Sequence, residues 1–491
     1  MAYEVKSRKE AELYPDFTAF TREIRKNGIT EELLNKIINK HKQNSVYNKG
    51  LYDRYMAVGK SVPIFTREPR FEEEKDAINN KINNDFFGEI TDVKVGYFAG
   101  NPIGYSYSAS TESKQDTGGE DGVYEASKAL TDFVVRNNMY DLDMELTKFA
   151  TICGYAGRLF YIDTDGVERA MVIPPYEAII LSDTEISEPE FAIRYYKVVD
   201  TDDNESYVAE FYDKTRVVYF KGVEGSLMLD ESTPAKNHLF DYCPLQGVAN
   251  NREMLGDAEK VQAAIDAYDR TMSDISNEIE SFANAYMVFE NVQIEDEERE
   301  KAQKSGSISF FTGGMGGKVY FLTKDIHDAF VQNHLDRLED NIYRFSKTPN
   351  LGDEAFGTAS GVALKFKITG LETKCGMFQA KMQSAGNYMW KLLASSWAKK
   401  QIAFDPLQVI MDFKRNFPLD LLSEAQSISA LLGAGLPKRI AFGQLSFIDD
   451  VEEVMQLIDE EQDNIPDLDY DDGLDDKIEP VDDKTEVIEE E

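Results

Sequence analysis

The chain is 491 residues long, with 42% hydrophobic and 11% aromatic residues and a formal net charge of -37 from 90 acidic against 53 basic side chains. That length allows two to four domains with a sizeable core, and the charge argues against both the basic footprint of a nucleic-acid binder and docking on anionic lipid. Three widely spaced cysteines (Cys153, Cys243, Cys375), an N-terminus without an apolar signal core and the lack of any apolar run of about 18 residues predict a protein without disulfides or membrane spans, made in the cytoplasm.

In chain order, Thr30 followed by Glu31 and Glu32 reads as an N-cap and acidic first turn, and Leu33, Leu34, Ile37 and Ile38 form an apolar stripe. A second helix is predicted over Asp76 to Phe98, with Ile78, Ile82, Phe86 and Ile90 on one face, ending at Gly100-Asn101-Pro102. The polar stretch Ser106 to Gly122 reads as a surface loop, and helix resumes over Val123 to Cys153. Strands are predicted at Arg158–Ile162, Ala170–Ile173, Phe191–Val199, Tyr207–Tyr212 and Arg216–Tyr219, with turn residues between them. A β-rich module thus stands between helical ones, which makes the fold class α+β.

The clearest helix is predicted over Asp257 to Phe289. Val261, Ile265, Tyr268, Met272, Ile275, Ile279, Phe282 and Tyr286 follow alternating steps of four and three, a heptad-like seam, with Asp266, Asp269, Asp274 and Glu278 off it. A second such helix covers Asp325 to Phe345, with Val331, Leu335, Leu338, Ile342 and Phe345 on its seam. Between them lie an acidic helix near Glu295 to Lys304, strands at Ser307–Phe311 and Lys318–Leu322, and the Gly-rich turn of Gly313, Gly314, Gly316 and Gly317. A loop over Ser346 to Ser360 leads into a long helix reaching Ala403. A last helical block spans Leu419 to Ile458, broken near Gly433 to Pro437. Residues 451–491 hold 19 acidic residues against two lysines and read as disordered.

No catalytic chemistry is legible. The Gly-rich turn is not a phosphate loop, because Thr312 stands where the first glycine belongs and Val319 follows Lys318. Gly357 to Gly361 places its serine one position late for a nucleophile elbow. The four histidines, His41, His238, His327 and His334, lack clustered acids or thiols and read as surface or interface residues, and the acid pairs of the C-terminal end lack a scaffold. Neither a cofactor nor a metal is expected.

Four motifs in fixed order are more specific. They are Asp92-Val93-Lys94-Val95-Gly96-Tyr97-Phe98-Ala99-Gly100-Asn101-Pro102-Ile103, Pro244-Leu245-Gln246-Gly247-Val248-Ala249-Asn250-Asn251, Ile265-Asp266-Ala267-Tyr268-Asp269-Arg270 continuing to Phe282-Ala283-Asn284-Ala285-Tyr286, and Ser360-Gly361-Val362-Ala363-Leu364-Lys365-Phe366-Lys367. On these, the chain resembles the portal proteins of long-tailed phages of Gram-positive bacteria, over residues 20 to 460.

The resemblance implies a non-enzymatic, dodecameric ring at one capsid vertex of the virion, assembled in the host cytoplasm. Double-stranded DNA would pass through it without sequence recognition. Implied partners are the terminase large subunit, the major capsid and scaffolding proteins and a head–tail adaptor; no membrane is involved. Residues 1–255 look like an N-terminal arm and wing, 256–289 and 325–345 like the stem helices, 290–324 like the clip, 346–360 like the tunnel loop, 361–418 like the long wing helix, 419–460 like the crown, and 461–491 like an acidic tail. Thr348, Asn350, Asp353, Glu354 and Thr358 would then face DNA, as would Asp266, Asp269, Asp274 and Glu278 on the stem, although the loop is acidic for a DNA clamp. Two rival readings are a cytosolic coiled-coil adaptor, which predicts a small oligomer, and a nucleotide hydrolase, which needs the phosphate loop rejected above.

Overall fold

A computed structural model describes residues 17–69, 78–108, 119–182, 188–283, 287–290, 317–321, 328–352, 361–416, 421–442, 445, 454–455 and 457–458. The chain divides into two units, 1–417 and 418–491. All described strand pairings are antiparallel, and the sheets alternate with blocks of helix along the chain, so the fold is α+β.

The first unit opens with α1 (Thr18–Asn27) and α2 (Glu31–Tyr55). The Thr30 side chain accepts from Leu33 N at 3.2 Å, as its N-cap role predicts. Leu33, Leu34, Ile37 and Ile38 are buried against a sheet face carrying Ile179, Ile193, Phe211, Val218 and Phe220. His41, on the same helix, is 2% exposed, and its Nδ1 meets the Tyr195 hydroxyl at 3.0 Å. It is a core residue rather than a surface one, and burial pushes its pKa down to about 3.

The predicted helix over Asp76 to Phe98 is shorter. Its helical part is α3 (Phe86–Ala99), capped by the Asp85 carboxylate accepting from Gly88 N at 3.2 Å; residues 78–85 are not helical, and 70–77 lie outside the described residues. The predicted Ser106–Gly122 loop is corrected at both ends. β1 (Gly104–Tyr107) runs into it, and α4 (Gly119–Arg136) begins inside it. The helix predicted up to Cys153 breaks at Asn138, whose left-handed φ of 46° asparagine tolerates, and continues as α5 (Met139–Cys153).

Next come β2 (Tyr155–Ile162), β3 (Glu168–Ile173), β4 (Ala178–Leu181), β5 (Phe191–Val199), β6 (Glu205–Tyr212), β7 (Arg216–Val223), β8 (Ser226–Leu229), β9 (Lys236–Asn237) and β10 (Leu245–Ala249). One sheet runs β4-β5-β6-β7-β8 with β9 on β7, and another runs β10-β2-β3. The β8 edge is closed by a side chain. The Asn35 amide donates to Leu227 O at 2.8 Å and accepts from Leu227 N at 2.9 Å, as a neighbouring strand would.

Then follow α6 (Gln262–Ala283), β11 (Met287–Glu290), β12 (Lys318–Phe321) and α7 (Asp328–Ser346). α8 (Gly361–Lys399) then crosses the core, burying Phe378, Trp390, Leu392, Leu393 and Trp397. β13 (Val409–Asp412) returns to pair with β1. In the second unit, α9 (Leu421–Gly433) stops at the predicted Gly-Pro break and α10 (Lys438–Phe442) starts after Pro437.

Candidate functional site

The two helices with heptad-like spacing form an antiparallel hairpin whose root lies in the core. Val261 and Ile265 are each 2% exposed and pack with Ile342. Phe86 wedges between them, edge-on to Tyr268 at 5.0 Å and to Tyr343 at 5.8 Å. Farther along, the seam loosens. Tyr268, Met272 and Ile275 are half-buried and Ile279 is 63% exposed; Phe345, by contrast, is 60% exposed although it stands beside the root at the end of α7. Ile279 and Phe345 are corrected: within one chain they are surface residues. The side chain of Phe282 lies outside the described residues.

The helix predicted to reach Phe289 ends earlier, because residues 287–290 are strand. Met287 pairs with Phe321 and Glu290 with Lys318, so an aromatic and β-branched stretch with a partner leaves the helix. Gly317 immediately precedes β12; Gly313, Gly314 and Gly316 lie outside the described residues, as do Ser307–Phe311 and the acidic helix near Glu295.

The four α6 carboxylates do not share one free face. Asp266 pairs with Arg54, itself buried, and Asp274 with Arg67. Asp269 is 2% exposed and accepts from Asn84 N at 3.0 Å and Asn84 Nδ2 at 2.7 Å; burial pushes its carboxyl above the ordinary range. A residue so enclosed by its own chain presents nothing to a channel, so the expectation for Asp269 is overturned. Asp274 is exposed and Glu278 half-buried.

What encloses Asp269 is the segment predicted as helix. Residues 78–84 run extended along α6. Asn80 N donates to Asn277 Oδ1 at 2.7 Å, Ile82 N to Ser273 Oγ at 2.9 Å, and Asn84 N to Asp269 Oδ1. Two residues of extended chain rise about 6.6 Å and four residues of helix about 6 Å. Every second amide of the strap therefore meets every fourth side chain of the helix, running antiparallel. The asparagine-rich strap sequence, poor in helix propensity, and the polar row Asp269, Ser273, Asn277 carried the signal.

The Ser346–Ser360 stretch begins by folding back on α7. Thr348 is 4% exposed, and its N donates to Tyr343 O at 3.1 Å. Asn350 Nδ2 donates to Glu339 Oε1 at 3.0 Å. Thr348 is thus a packing residue, not one offered to DNA, and Asn350 is held to its own helix. Asp353, Glu354 and Thr358 lie outside the described residues.

At the root, backbone packs on backbone. Asn250 N donates to Gly154 O and Asp257 N to Thr151 O, both at 2.8 Å. Here Asp257 meets Lys94 and Lys374, a buried cluster that sequence reasoning missed although Lys94 and Asn250 lie in two of the four motifs. Burial pushes the Asp257 carboxyl up, but the two ammonium groups outweigh it and hold the carboxyl below the ordinary range. Burial pushes Lys94 down. Among the described residues, no group of three or more His, Cys, Asp or Glu is placed to hold a metal, and no helix is long and apolar enough to cross a membrane.

The family model described as phage portal protein, SPP1 Gp6-like, matches residues 34–467. A portal protein of Clostridium phage phiCD119 is 24% identical over 404 residues, covering 78% of this chain and 85% of that relative. A portal protein of Bacillus phage SPP1 is 23% identical over 429 residues, covering 82% of this chain and 81% of that relative.

Proposed function

The chain belongs to the SPP1 Gp6-like family of phage portal proteins, a structural family of the virion, and from that membership we propose that it forms a closed ring at one capsid vertex. The ring is dodecameric, assembled in the host cytoplasm. It is the conduit for DNA packaging and ejection and the platform on which the terminase motor and the head–tail connector dock. Within it, 1–255 and 361–418 form the arm and wing, α6 and α7 the stem, 290–324 the clip together with β11, 346–360 the tunnel loop, 419–460 the crown and 461–491 the acidic tail.

The observation that carries this reading is the half-finished seam of the hairpin. Val261, Ile265 and Ile342 at its root are buried within one subunit, while Ile279 farther along the seam is 63% exposed, as is Phe330 at 74%, off the seam near the start of α7. A ring neighbour would cover such residues, since a closed ring gives every subunit the same two contacts. An acidic lumen fits sliding, because basic contacts to duplex DNA bind through counterion release and would arrest it. Negative-stain imaging of the purified chain tests the reading: closed rings with a central hole are expected, and a small oligomer would favour the coiled-coil adaptor instead.

A further inference from the structure

Three charged side chains meet in the interior where the hairpin joins the body. Asp257 lies just before α6. Its Oδ1 is 3.2 Å from Lys94 Nζ on α3, and its Oδ2 is 2.6 Å from Lys374 Nζ on α8. The side chains of Lys94 and Asp257 are 1% and 4% exposed, and that of Lys374 is 12% exposed. Asn250 closes the cluster, donating to Asp257 Oδ1 at 2.7 Å and accepting from Lys94.

Two cations face one carboxylate, so the cluster is not neutral by itself. The excess is met at the end of α7, where Lys374 Nζ donates to the Ser346 carbonyl at 2.6 Å. A helix C-terminus carries partial negative charge, which suits a cation. One ammonium therefore holds both ends of the hairpin, Asp257 ahead of α6 and Ser346 closing α7. It also brackets the 347–360 connection, which leaves Ser346 and returns on α8. The two sides of that bracket touch: a Cβ on Gly370 would lie 3.2 Å from the Lys347 Cβ.

Buried ion clusters are weak sources of stability compared with apolar packing of the same volume, and their best-attested use is to fix register. We propose that Lys374 is a positioning residue that makes the root of α6, the end of α7 and the base of the 347–360 connection one joint, so that none shifts without the others. The joint itself is a property of the subunit; its part in moving DNA rests on the portal reading.

Hydrogen exchange on assembled rings tests the joint. In Lys374→Met, amides of 257–265 and of 347–352 should both exchange about tenfold faster or more, as expected on losing a charge-assisted hydrogen bond, while the sheet at 191–223 keeps wild-type protection. Lys374→Arg keeps the cation and serves if the methionine variant does not fold: any acceleration must then appear at both segments. Acceleration at one segment alone, in either variant, overturns the proposal. In a packaging assay, Lys374→Met rings should package several-fold less DNA per prohead. Normal packaging by rings with both segments accelerated would remove the joint's role in transport. Wild-type rings that package nothing would instead count against the portal reading and leave the exchange result standing.

Discussion

Gly154 shows how much one residue can decide. It closes α5 with a left-handed φ of 87°, and a Cβ there would lie 1.8 Å from the Met254 carbonyl oxygen. The loop that leads into α6 can approach α5 only because no side chain intervenes. Gly154→Ala should therefore destabilise the protein by roughly 3 kcal/mol or more, from backbone strain plus a clash with backbone that cannot retreat; a urea midpoint within error of wild type would disprove it. Asp257 is the electrostatic counterpart. Asp257→Asn leaves two buried lysines without their carboxylate and should cost about 3–5 kcal/mol near neutral pH. Because its folded pKa is depressed, its contribution is full above the unfolded value of about 3.9 and is lost as pH falls through the lower folded value. The stability gap between wild type and Asp257→Asn, measured by denaturant titration, should thus be widest near pH 6 and narrow below about pH 4. A gap that widened on acidification would reverse the assignment.

At the scale of elements, α6 has different neighbours on different sides: α7 on its apolar seam, the strap on its polar row, and Arg54 and Arg67 paired with Asp266 and Asp274. The strap is held by side chains replacing the amide acceptors of a strand partner. Ser273→Ala and Asn277→Ala each remove one acceptor and should lower stability by about 1 kcal/mol. Faster exchange should be confined to the amides of Ile82 and Asn80 respectively; unchanged exchange at both would mean that water satisfies them equally well. The seam makes a sharper distinction. Ile265→Asp puts a charge into a site 2% exposed and should unfold the subunit, whereas Ile279→Asp, at a site 63% exposed, should leave a folded subunit that no longer closes into rings. Circular dichroism with size-exclusion chromatography separates the two, and wild-type-sized rings from Ile279→Asp would remove that residue from the subunit interface.

For the whole molecule the dominant fact is charge. In the proposed conduit for a polyanion, a net -37 would keep the wall from binding what passes. Asp269 can no longer test this, since lysine there would break the strap rather than alter a surface. Asp274→Lys combined with Glu278→Lys should allow assembly yet slow packaging, with the defect relieved as ionic strength rises, because added phosphate contacts weaken steeply with salt. Packaging per prohead that stays at the wild-type level across a salt series would show that this part of α6 does not face DNA.

Several features were legible from sequence because their causes are local. The Thr30 cap, the strand Phe191–Val199, the buried start of the heptad seam and the break before Lys438 each follow from propensity or periodicity within a dozen residues. The family too was legible, from four short motifs in fixed order along the chain. The strap, the β1–β13 pair, the strand at 287–290 and the Lys94–Asp257–Lys374 cluster were not. Ile78 and Ile82 have helical spacing with Phe86, and only the polar row of α6, some 190 residues away in the chain, makes the extended form of 78–84 the better-bonded one. Met287 to Glu290 continue a helical period until Lys318 to Phe321 offer hydrogen bonds along an edge. Lys94 is a surface residue by type, and its burial becomes tolerable only when the fold delivers Asp257 and Asn250 to it. Local propensities differ by about 1 kcal/mol per residue or less, whereas leaving buried polar groups without partners costs more; wherever the partner is distant in sequence, the tertiary structure decides.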